Sequence, residues 1–217
     1  MTAATTTLEF RDLGLLGYDD ALQYQQALVT QRLSGRVGDT ILFVEHPPTI
    51  TLGRAANRAN LLLSEAELAR RGVAVRESDR GGDVTYHGPG QLVGYPIVDL
   101  TGRGRDLHRY LRDIEGVLIS ALEELGIEAG RVPGLTGVWV GPRKIAAIGI
   151  KVSRWVTSHG FALNVGPDLS GFSFIVPCGI RDRGVTSISR ELGQRIPVDE
   201  VKPIVRRELE HTFGATS

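Results

Sequence analysis

The sequence predicts a mixed α/β (α+β) fold in which helices flank a mixed, largely antiparallel sheet. Strand-like segments come in neighbouring pairs separated by short turns, and helical segments lie between these groups. The regular alternation of single strands and helices that is typical of a parallel sheet is absent from the pattern. The 217 residues suit one domain, and no low-complexity linker or internal repeat divides them. We therefore expect a single domain over residues 1–217.

Local patterns place the first helix and the first strands. Asp19 or Asp20 is positioned to cap a helix that runs to about Leu33. The apolar run TILFVEH, from Thr40, predicts a buried strand that stops at two prolines. Alternation resumes at Thr49 and predicts a second, short strand.

Two helix signals and a set of strand-like runs complete the expected elements. Ser64 and Glu67 form a capping-box pattern for a short helix, and residues 73–77 alternate as a strand. The clearest helix follows Asp106, because apolar residues then recur at three- and four-residue steps until Gly126. The remaining predicted elements are strands at 137–140, 144–152 and 155–165 and a helix at about 199–214.

Composition limits the class of protein. The chain has 25 basic and 25 acidic side chains, so its net charge of zero gives no reason to expect nucleic-acid binding. A single cysteine excludes an intramolecular disulfide, and the N-terminal residues do not form a signal-peptide pattern. No run approaches the roughly 18 apolar residues of a membrane span. We expect a cytoplasmic protein that does not bind membranes.

The segment RGGDVTYHGPGQ, from Arg80 to Gln91, contains the richest local signal. Four glycines and a proline accompany an arginine and a histidine, and glycine lets backbone approach a ligand closely. Two interpretations stay open: a ligand-binding loop, or a tight hairpin that carries a solvated histidine. The pattern matches neither GxGxxG nor the GK[ST] ending of a phosphate-binding loop, so it gives poor support for a phosphate site.

The chain's one thiol lies in FIVPCGI, where Cys178 follows a proline and precedes a glycine. A lone cysteine is usually a small buried hydrophobic residue. Here it also lies at an element boundary, where a side chain can face a cleft and the glycine leaves room for a substrate carbonyl. Because a free thiol has a pKa of about 8.5, a nucleophilic role requires a neighbour that favours the thiolate.

Lys144 and His159 are the candidate partners of this thiol. The only lysines are Lys144, Lys151 and Lys202, so most of the 25 basic residues are arginine, which cannot exchange a proton as lysine can. A solvated lysine and a hydrogen-bonded sheet histidine are the competing interpretations. The histidines lack the paired spacing of a zinc site, and we expect no metal.

Five blocks, which follow one another along the chain in the family's order, resemble the lipoyl(octanoyl) transferases, a family related to the biotin and lipoate protein ligases. The most specific block is RGGDVTYHGPGQLVGYP, from Arg80. The other blocks are EHPPTITLGR from Glu45, KIAAIG from Lys144, HGFALN from His159 and PCGI from Pro177. One departure is Asp83, at a position where the family often has glutamine; it affects the polarity of the loop and not the mechanism.

The resemblance implies a biotin/lipoate-ligase-like catalytic fold and a site built from these blocks. Cys178 would carry the acyl group as a thioester, and Lys144 would lower the pKa of the thiol. His159 is kept as an auxiliary candidate. The acyl pocket would be lined by Arg80, Gly81, Gly82, Asp83, Val84, Thr85, Tyr86, His87, Ala147, Ile148, Gly149, Gly160, Phe161 and Ala162.

The implied reaction moves an octanoyl or lipoyl group from acyl carrier protein to a lysine of a lipoyl domain, with no cofactor and no ATP. The acceptors would be the lipoyl domains of 2-oxoacid dehydrogenase complexes and the glycine cleavage H protein. Three alternatives stay open. They are an ATP-dependent lipoate or biotin ligase, an octanoyl amidotransferase between lipoyl domains, and a non-catalytic module that binds acylated carrier protein.

Overall fold

The computed structural model describes residues 8–176 and 184–214. In chain order, the strands are β1 (Glu9–Leu15), β2 (Thr40–Glu45), β3 (Thr49–Leu52), β4 (Ala74–Glu77), β5 (Val84–His87), β6 (Gln91–Ile97), β7 (Gly130–Val132), β8 (Leu135–Val140), β9 (Arg143–Ser153) and β10 (Val156–Asn164). The helices are α1 (Tyr18–Leu33), α2 (Glu65–Arg70), α3 (Leu107–Glu124), α4 (Ile188–Leu192) and α5 (Val198–Phe213).

Within the described ranges, the strands form one large sheet and one small sheet. The large sheet has the order β1-β2-β6-β10-β9-β8-β7, and the small sheet has the order β4-β3-β5. In the large sheet β1 and β2 are parallel, whereas the other neighbours are antiparallel. In the small sheet β3 is parallel to β4 and antiparallel to β5. The predicted mixed α/β fold with a largely antiparallel sheet is confirmed.

Helices cover both faces of the large sheet. On one face α3 and α5 pack Leu118 and Leu209 against the strands in the main core, which includes Phe161 of β10. On the other face α1 packs Leu28 into a second core with Ala162, the next residue of β10. Because neighbouring residues of a strand point to opposite faces, β10 contributes to both cores.

The helix signals in the sequence are mostly confirmed. The Ser64 hydroxyl accepts from the Glu67 amide at 3.3 Å, and the Glu67 carboxylate accepts from the Ser64 amide at 3.0 Å, as a capping box requires. Asp106 caps α3 by accepting from the amide of Arg109 at 3.0 Å. No helix in the described part of the chain is long and apolar enough to cross a membrane.

The predicted cap of α1 was wrong. The helix begins at Tyr18 and its N-cap is Gly17, which has no side chain to accept a hydrogen bond. Asp19 and Asp20 instead occupy the first turn, where a negative charge interacts favourably with the helix dipole.

Three regions gained strands that local patterns did not predict, and one of them is β7, which pairs with β8 at an edge of the large sheet. β1 pairs with β2 at the sheet edge, and its alternation is interrupted at Gly14, which has a φ of 59°. The glycine-rich segment contains β5 and continues into β6, whose residues are all buried between β2 and β10. His87 is buried, and β5 and β6 belong to different sheets, so the interpretation as a tight hairpin with a solvated histidine was wrong.

Candidate active site

One cavity of 330 Å³ brings together residues from β5 of the small sheet and from β6, β9 and β10 of the large sheet. Lys144 and His159 both line it. From the predicted acyl pocket, the lining includes Arg80, Gly81, Gly82, Asp83, Val84, Thr85, His87, Ala147, Ile148, Gly149, Gly160, Phe161 and Ala162. These sequence blocks, far apart along the chain, therefore meet at one place.

Tyr86 is the predicted pocket residue that does not line this cavity. It lies between Thr85 and His87 on β5, so its side chain points to the opposite face of the small sheet. There it packs edge-on against Phe172, with ring centroids 5.4 Å apart. Its place in the motif is explained by packing beneath the small sheet.

Other lining residues were missing from the sequence prediction. They are Tyr18, Val93, Tyr95, Leu111, Gly134, Leu135, Thr136 and Ile150. The alternation of β6 predicts that Val93 and Tyr95 share a face, but no local signal indicates which face. Tyr18 and Leu111 belong to helices whose position over the cavity is a tertiary property.

A β-bulge places Lys144 on the cavity side of β9. Regular pairing puts Ala146 opposite Leu163, and both side chains lie in the main core. In an unbroken strand Lys144 would share that face, because it lies two residues from Ala146. The register between β8 and β9 shifts here, which adds Ile145 to β9 as an extra residue. Lys144 therefore shares the other face with Ala147.

The environment of Lys144 is nearly closed, and only 9% of the residue is exposed. Its Nζ lies 4.7 Å from the ring centroid of Trp139, and it lines a small space together with Asn164. Its backbone amide donates to the carbonyl of Gly184 at 2.9 Å. Cys178 lies outside the described residues, and Gly184 is the first described residue after it.

Three glycines make room for the side chain of Arg80. A Cβ atom at Gly53 would lie 2.8 Å from the Nη1 atom of Arg80, one at Gly149 would lie 3.4 Å from it, and one at Gly82 would lie 3.5 Å from it. The Nη2 atom of Arg80 donates to both the carbonyl and the hydroxyl of Thr51, each at 2.9 Å. The glycines of this region thus surround the protein's own guanidinium.

A chain of buried hydrogen bonds joins this arginine to Thr186, whose amide donates to the carbonyl of Lys144 at 3.0 Å. The carbonyl of Thr186 accepts from Nδ2 of Asn164 at 3.0 Å, and Oδ1 of Asn164 accepts from Nε2 of Gln91 at 2.9 Å. Oε1 of Gln91 must then accept from Nδ1 of His87, 2.8 Å away. This leaves Nε2 of His87 as the acceptor for the hydroxyl of Thr51 at 3.3 Å. The carbonyl of Thr186 can only accept a hydrogen bond, and this sets which atom donates and which accepts in each of the other bonds of the chain.

His87 is neutral in this arrangement. Burial, followed by the repulsion of His46, lowers the pKa of His87 to about 3. A neutral imidazole can donate through one nitrogen and accept through the other, which the hydrogen-bond chain requires.

We expect this buried imidazole to make the fold sensitive to acid. The pKa of His87 in the folded chain lies below its unfolded value of about 6.5, so between these two pH values the unfolded chain binds more protons. The free energy of unfolding therefore decreases as the pH is lowered. Replacing His87 with Gln should reduce the loss of unfolding free energy between pH 7 and pH 5 by about 2 kcal/mol. Urea unfolding at both pH values measures this. His108→Gln, at an exposed position, is the control, and equal losses in His87→Gln and wild type would contradict the assignment.

His159 lies on β10, far from Lys144 along the paired strands β9 and β10. It pairs with Ile150, six residues along the strand from Lys144, a separation of about 20 Å. Its Nε2 lies 2.7 Å from Oδ1 of Asp79, and Lys151 contacts the same carboxylate. Burial lowers the pKa of His159. The structure therefore separates the two candidate partners of the thiol.

Two further contacts hold this end of the cavity. His159 has a φ of 55°, an unusual value for a residue other than glycine, and its amide donates to Oε1 of Gln25 at 2.8 Å. Burial raises the pKa of Asp79, but the hydrogen bonds from Lys151 and His159 outweigh it and leave the pKa below its usual value. In the described part of the chain, no group of three or more His, Cys, Asp or Glu side chains could hold a metal ion.

Glu115 is a buried carboxylate that the sequence pattern does not single out, because charged neighbours on α3 suggest a solvated surface. Its Oε2 accepts from Nη1 of Arg112 at 2.5 Å and from Nε of Arg131 at 2.9 Å, and its Oε1 accepts from the amide of Gly137 at 3.1 Å. A Cβ atom at Gly137 would lie 3.4 Å from Cε of Lys144. Glu115 thus fixes the strand that packs directly against the lysine.

Replacing Glu115 with Ala should lower the free energy of unfolding by about 3 kcal/mol, because a buried amide and two guanidinium groups lose their acceptor. Glu115→Gln keeps an acceptor for the amide of Gly137, so its free energy of unfolding should fall less than that of Glu115→Ala. Chemical unfolding measures both variants. The exposed Glu123→Ala on the same helix should change stability by no more than about 0.5 kcal/mol. An equally small effect at Glu115 would show that its contacts do not stabilise this region.

Solved structures share this fold. Lipoate-protein ligase A bound with ATP superimposes with a TM-score of 0.78 at 19% identity, over 95% of this chain and 84% of that chain. The biotin protein ligase of Aquifex aeolicus gives a TM-score of 0.53 at 15% identity, over 95% of this chain and 68% of that chain. At these identities the likeness concerns the fold, and it confirms the predicted biotin/lipoate-ligase-like architecture.

Sequence relatives are much closer. The model of the lipoyl protein ligase A/B catalytic domain matches residues 17–210. An octanoyltransferase of Chloroflexus aggregans is 56% identical over 198 residues, which cover 90% of each chain. An octanoyltransferase of Myxococcus xanthus is 51% identical over 215 residues, 96% of this chain and 60% of that protein's length. The chain belongs to the lipoyl protein ligase A/B catalytic domain family, and the predicted enzyme class, an acyltransferase, is confirmed.

Proposed function

We propose that this chain transfers an octanoyl group from acyl carrier protein, through a thioester on Cys178, to a lysine of a lipoyl domain. Octanoyl transfer in protein lipoylation agrees with the name that its curated relatives share. The observation that carries the mechanism is the bulge at Ile145. The bulge turns the nearly buried Lys144 toward the cavity. The backbone of Lys144 is bonded to Gly184, the first described residue after Cys178.

In the first half of the reaction, Lys144 accepts the proton of the Cys178 thiol. The thiolate attacks the carbonyl carbon of the octanoyl thioester, and the bond from that carbon to the sulfur of the carrier breaks. The carrier leaves as a thiol after it receives the proton from Lys144. One thioester replaces another, so the two sides are nearly balanced in free energy.

In the second half, the neutral amine of the acceptor lysine attacks the Cys178 thioester. An amide bond forms, the bond to sulfur breaks, and the proton released by the amine returns to the thiolate by way of Lys144. Amide formation from a thioester is downhill, so no ATP is required. Since the nucleophile must remain a reduced thiol, the reaction suits the cytoplasm.

The donor of hydrogen bonds to the oxyanion is a separate question. Backbone amides near Gly81 or near Gly179 are the candidates. The amide of Gly81 donates to the carbonyl of Ile150 at 2.8 Å, so it is already used within the fold. Gly179 lies outside the described residues, and we propose it as the remaining candidate.

The acceptors in this proposal are the lipoyl domains of 2-oxoacid dehydrogenase complexes and the glycine cleavage H protein.

An ATP-dependent ligase, the first alternative, would activate a free acid and would need no cysteine. An amidotransferase would instead take octanoyl from one lipoyl domain and pass it to another.

Intact mass measurement separates these reactions. Incubation with octanoyl-acyl carrier protein should add one octanoyl group to the chain, and a lipoyl domain should then remove it. Consumption of ATP with free octanoate and no adduct would support a ligase. An adduct formed from an octanoylated lipoyl domain but not from the carrier would support an amidotransferase. If neither an adduct nor ATP consumption is observed, the binding module is the only alternative that remains.

We also propose that some of the arginines on α3 and in two loops flank the mouth of the cavity and attract the acidic carrier protein. The candidates are Arg54, Arg58, Arg103, Arg105, Arg109 and Arg112. Arg58 contacts Glu65 and Glu77, and Arg112 contacts Glu115, so part of this charge is already paired. Arg109 is exposed on α3, two residues from Leu111, which lines the cavity.

Added salt should therefore raise KM for octanoyl-carrier protein far more than KM for a small neutral octanoyl thioester, because the Debye length is only about 8 Å at physiological salt. Arg109→Glu should reproduce this difference at low salt. Arg36→Glu, at an exposed position between α1 and β2, is the matched control. If both donors respond equally to salt and to Arg109→Glu, the arginines are only part of the surface.

A further inference from the structure

We infer that the side chain of Arg80 limits the acyl chain accepted by this cavity to about eight carbons. The inference rests on the proposed function, because it takes the thioester carbonyl to lie beside Lys144. It concerns the far end of the same cavity, where the sequence gives no indication of chain length.

The sheet that forms one wall of the cavity is arranged in successive rows. Asn164 of β10 lines the same small space as Lys144 and marks the first row. Two residues further along β10, Ala162 lies opposite Ala147 of β9 and forms the second row. Two residues further again, Gly160 lies opposite Gly149 and forms the third row. At about 3.4 Å per residue, the third row is about 14 Å from the first.

An octanoyl chain reaches just past the second row, which lies about 7 Å from the first. Its seven carbon–carbon bonds, each about 1.5 Å, span about 9 Å when extended in a zigzag. The chain would therefore pass the row of Ala147 and Ala162, with Val93 beside them on β6, and end before Gly149. Small apolar side chains at this row leave room for methylenes and bury them favourably.

Arg80 occupies the space at the third row. A Cβ atom at Gly149 would lie 3.2 Å from Cδ of Arg80 and 3.4 Å from its Nη1, so the arginine side chain covers this glycine. An acyl chain of ten carbons extends about 11 Å, so the gap to the third row is less than a van der Waals contact of about 4 Å. Its end would press apolar methylenes against the guanidinium, or displace it from its hydrogen bonds. Either change is unfavourable, because a buried cation that loses polar partners is costly.

The guanidinium is also held firmly in place. Its Nη2 donates twice to Thr51, and its Nη1 donates to the carbonyl of Gly81 at 3.0 Å. The hydroxyl of Thr51 is oriented in turn by His87, at the end of the buried hydrogen-bond chain. A longer acyl chain would therefore have to disrupt several buried polar contacts together.

A competition among acyl donors tests this limit. The protein is mixed with equal amounts of hexanoyl, octanoyl, decanoyl and dodecanoyl thioesters of N-acetylcysteamine, and the adducts are measured by intact mass at early times. Replacing Arg80 with Met removes the charge and leaves a flexible apolar side chain. We expect the ratio of decanoyl to octanoyl adduct to rise about tenfold, since two more methylenes then leave water. Arg76→Met, on the same small sheet, should keep the wild-type ratio.

The opposite change is expected from Ala147→Leu, which fills the second row. The ratio of octanoyl to hexanoyl adduct should fall about tenfold, because two methylenes lose their place. Ala66→Leu, at an exposed position on α2, is the control. This variant keeps the test decisive if Arg80→Met does not fold.

The outcomes separate this inference from the proposed function. Adducts on wild type with unchanged chain-length ratios in Ala147→Leu, or in a folded Arg80→Met, would overturn the length limit alone. The absence of any adduct on the wild-type chain would reject the Cys178 thioester, and the length limit with it.

Discussion

Cys178→Ala is expected to abolish both the octanoyl adduct and transfer to a lipoyl domain. The proposed reaction forms its only covalent intermediate on this sulfur, and the chain has no second thiol to replace it. We expect activity to fall below the detection limit, a loss of at least about 10⁴-fold. Intact mass and a lipoyl-domain transfer assay measure the two losses separately.

Circular dichroism and thermal unfolding provide the control for this variant, because a folded protein without activity is the informative result. Cys178→Ser adds a second comparison, since a hydroxyl is a far weaker nucleophile than a thiolate at neutral pH. Full transfer activity in Cys178→Ala would rule out the thioester. It would favour direct transfer of the octanoyl group between two bound substrates.

Lys144→Met should reduce turnover by about 10²- to 10⁴-fold, the usual contribution of a positioned acid and base. It should also move the pH profile of Cys178 alkylation. With the lysine present, alkylation should follow a pKa below the free-thiol value of about 8.5, and without it the profile should shift to higher pH. Iodoacetamide rates across the pH range measure this effect apart from turnover.

Lys144→Arg distinguishes charge from proton transfer. Arginine keeps the positive charge and cannot exchange a proton, so turnover should fall more than the alkylation rate does. Lys202→Met is the matched control, because Lys202 lies on α5 and pairs with Asp12 and Asp199. Identical alkylation profiles in wild type and Lys144→Met would remove this lysine from the mechanism.

Local patterns in the sequence were sufficient for most of the secondary structure. The apolar spacing after Asp106 predicted α3, and the Ser64–Glu67 pair predicted the capping box of α2. These features succeeded because they depend on residues three or four positions apart. β1 was not predicted, because its pairing with β2 depends on contacts across about 30 residues.

The site was predicted from a resemblance of motifs and not from periodicity. The motifs named Lys144, but alternation along β9 would turn its side chain into the main core with Ala146. The bulge at Ile145 reverses that direction, and it arises from the register with β8. The same limit explains Tyr86, whose direction depends on which face of the small sheet covers the cavity.

The sequence by itself therefore determined the family, the class of fold, the main helices and the residue types available for acyl transfer. Only the tertiary structure decided that three glycines surround Arg80, that Glu115 fixes the strand beside Lys144, and that His159, on β10, lies about 20 Å from that lysine. The physical reason is range. Helix caps and strand alternation act over a few residues. The contacts of Arg80 with Gly53 and Gly149, and of Glu115 with Gly137, instead join segments about 20 to 70 residues apart, which meet only when the sheets pack together.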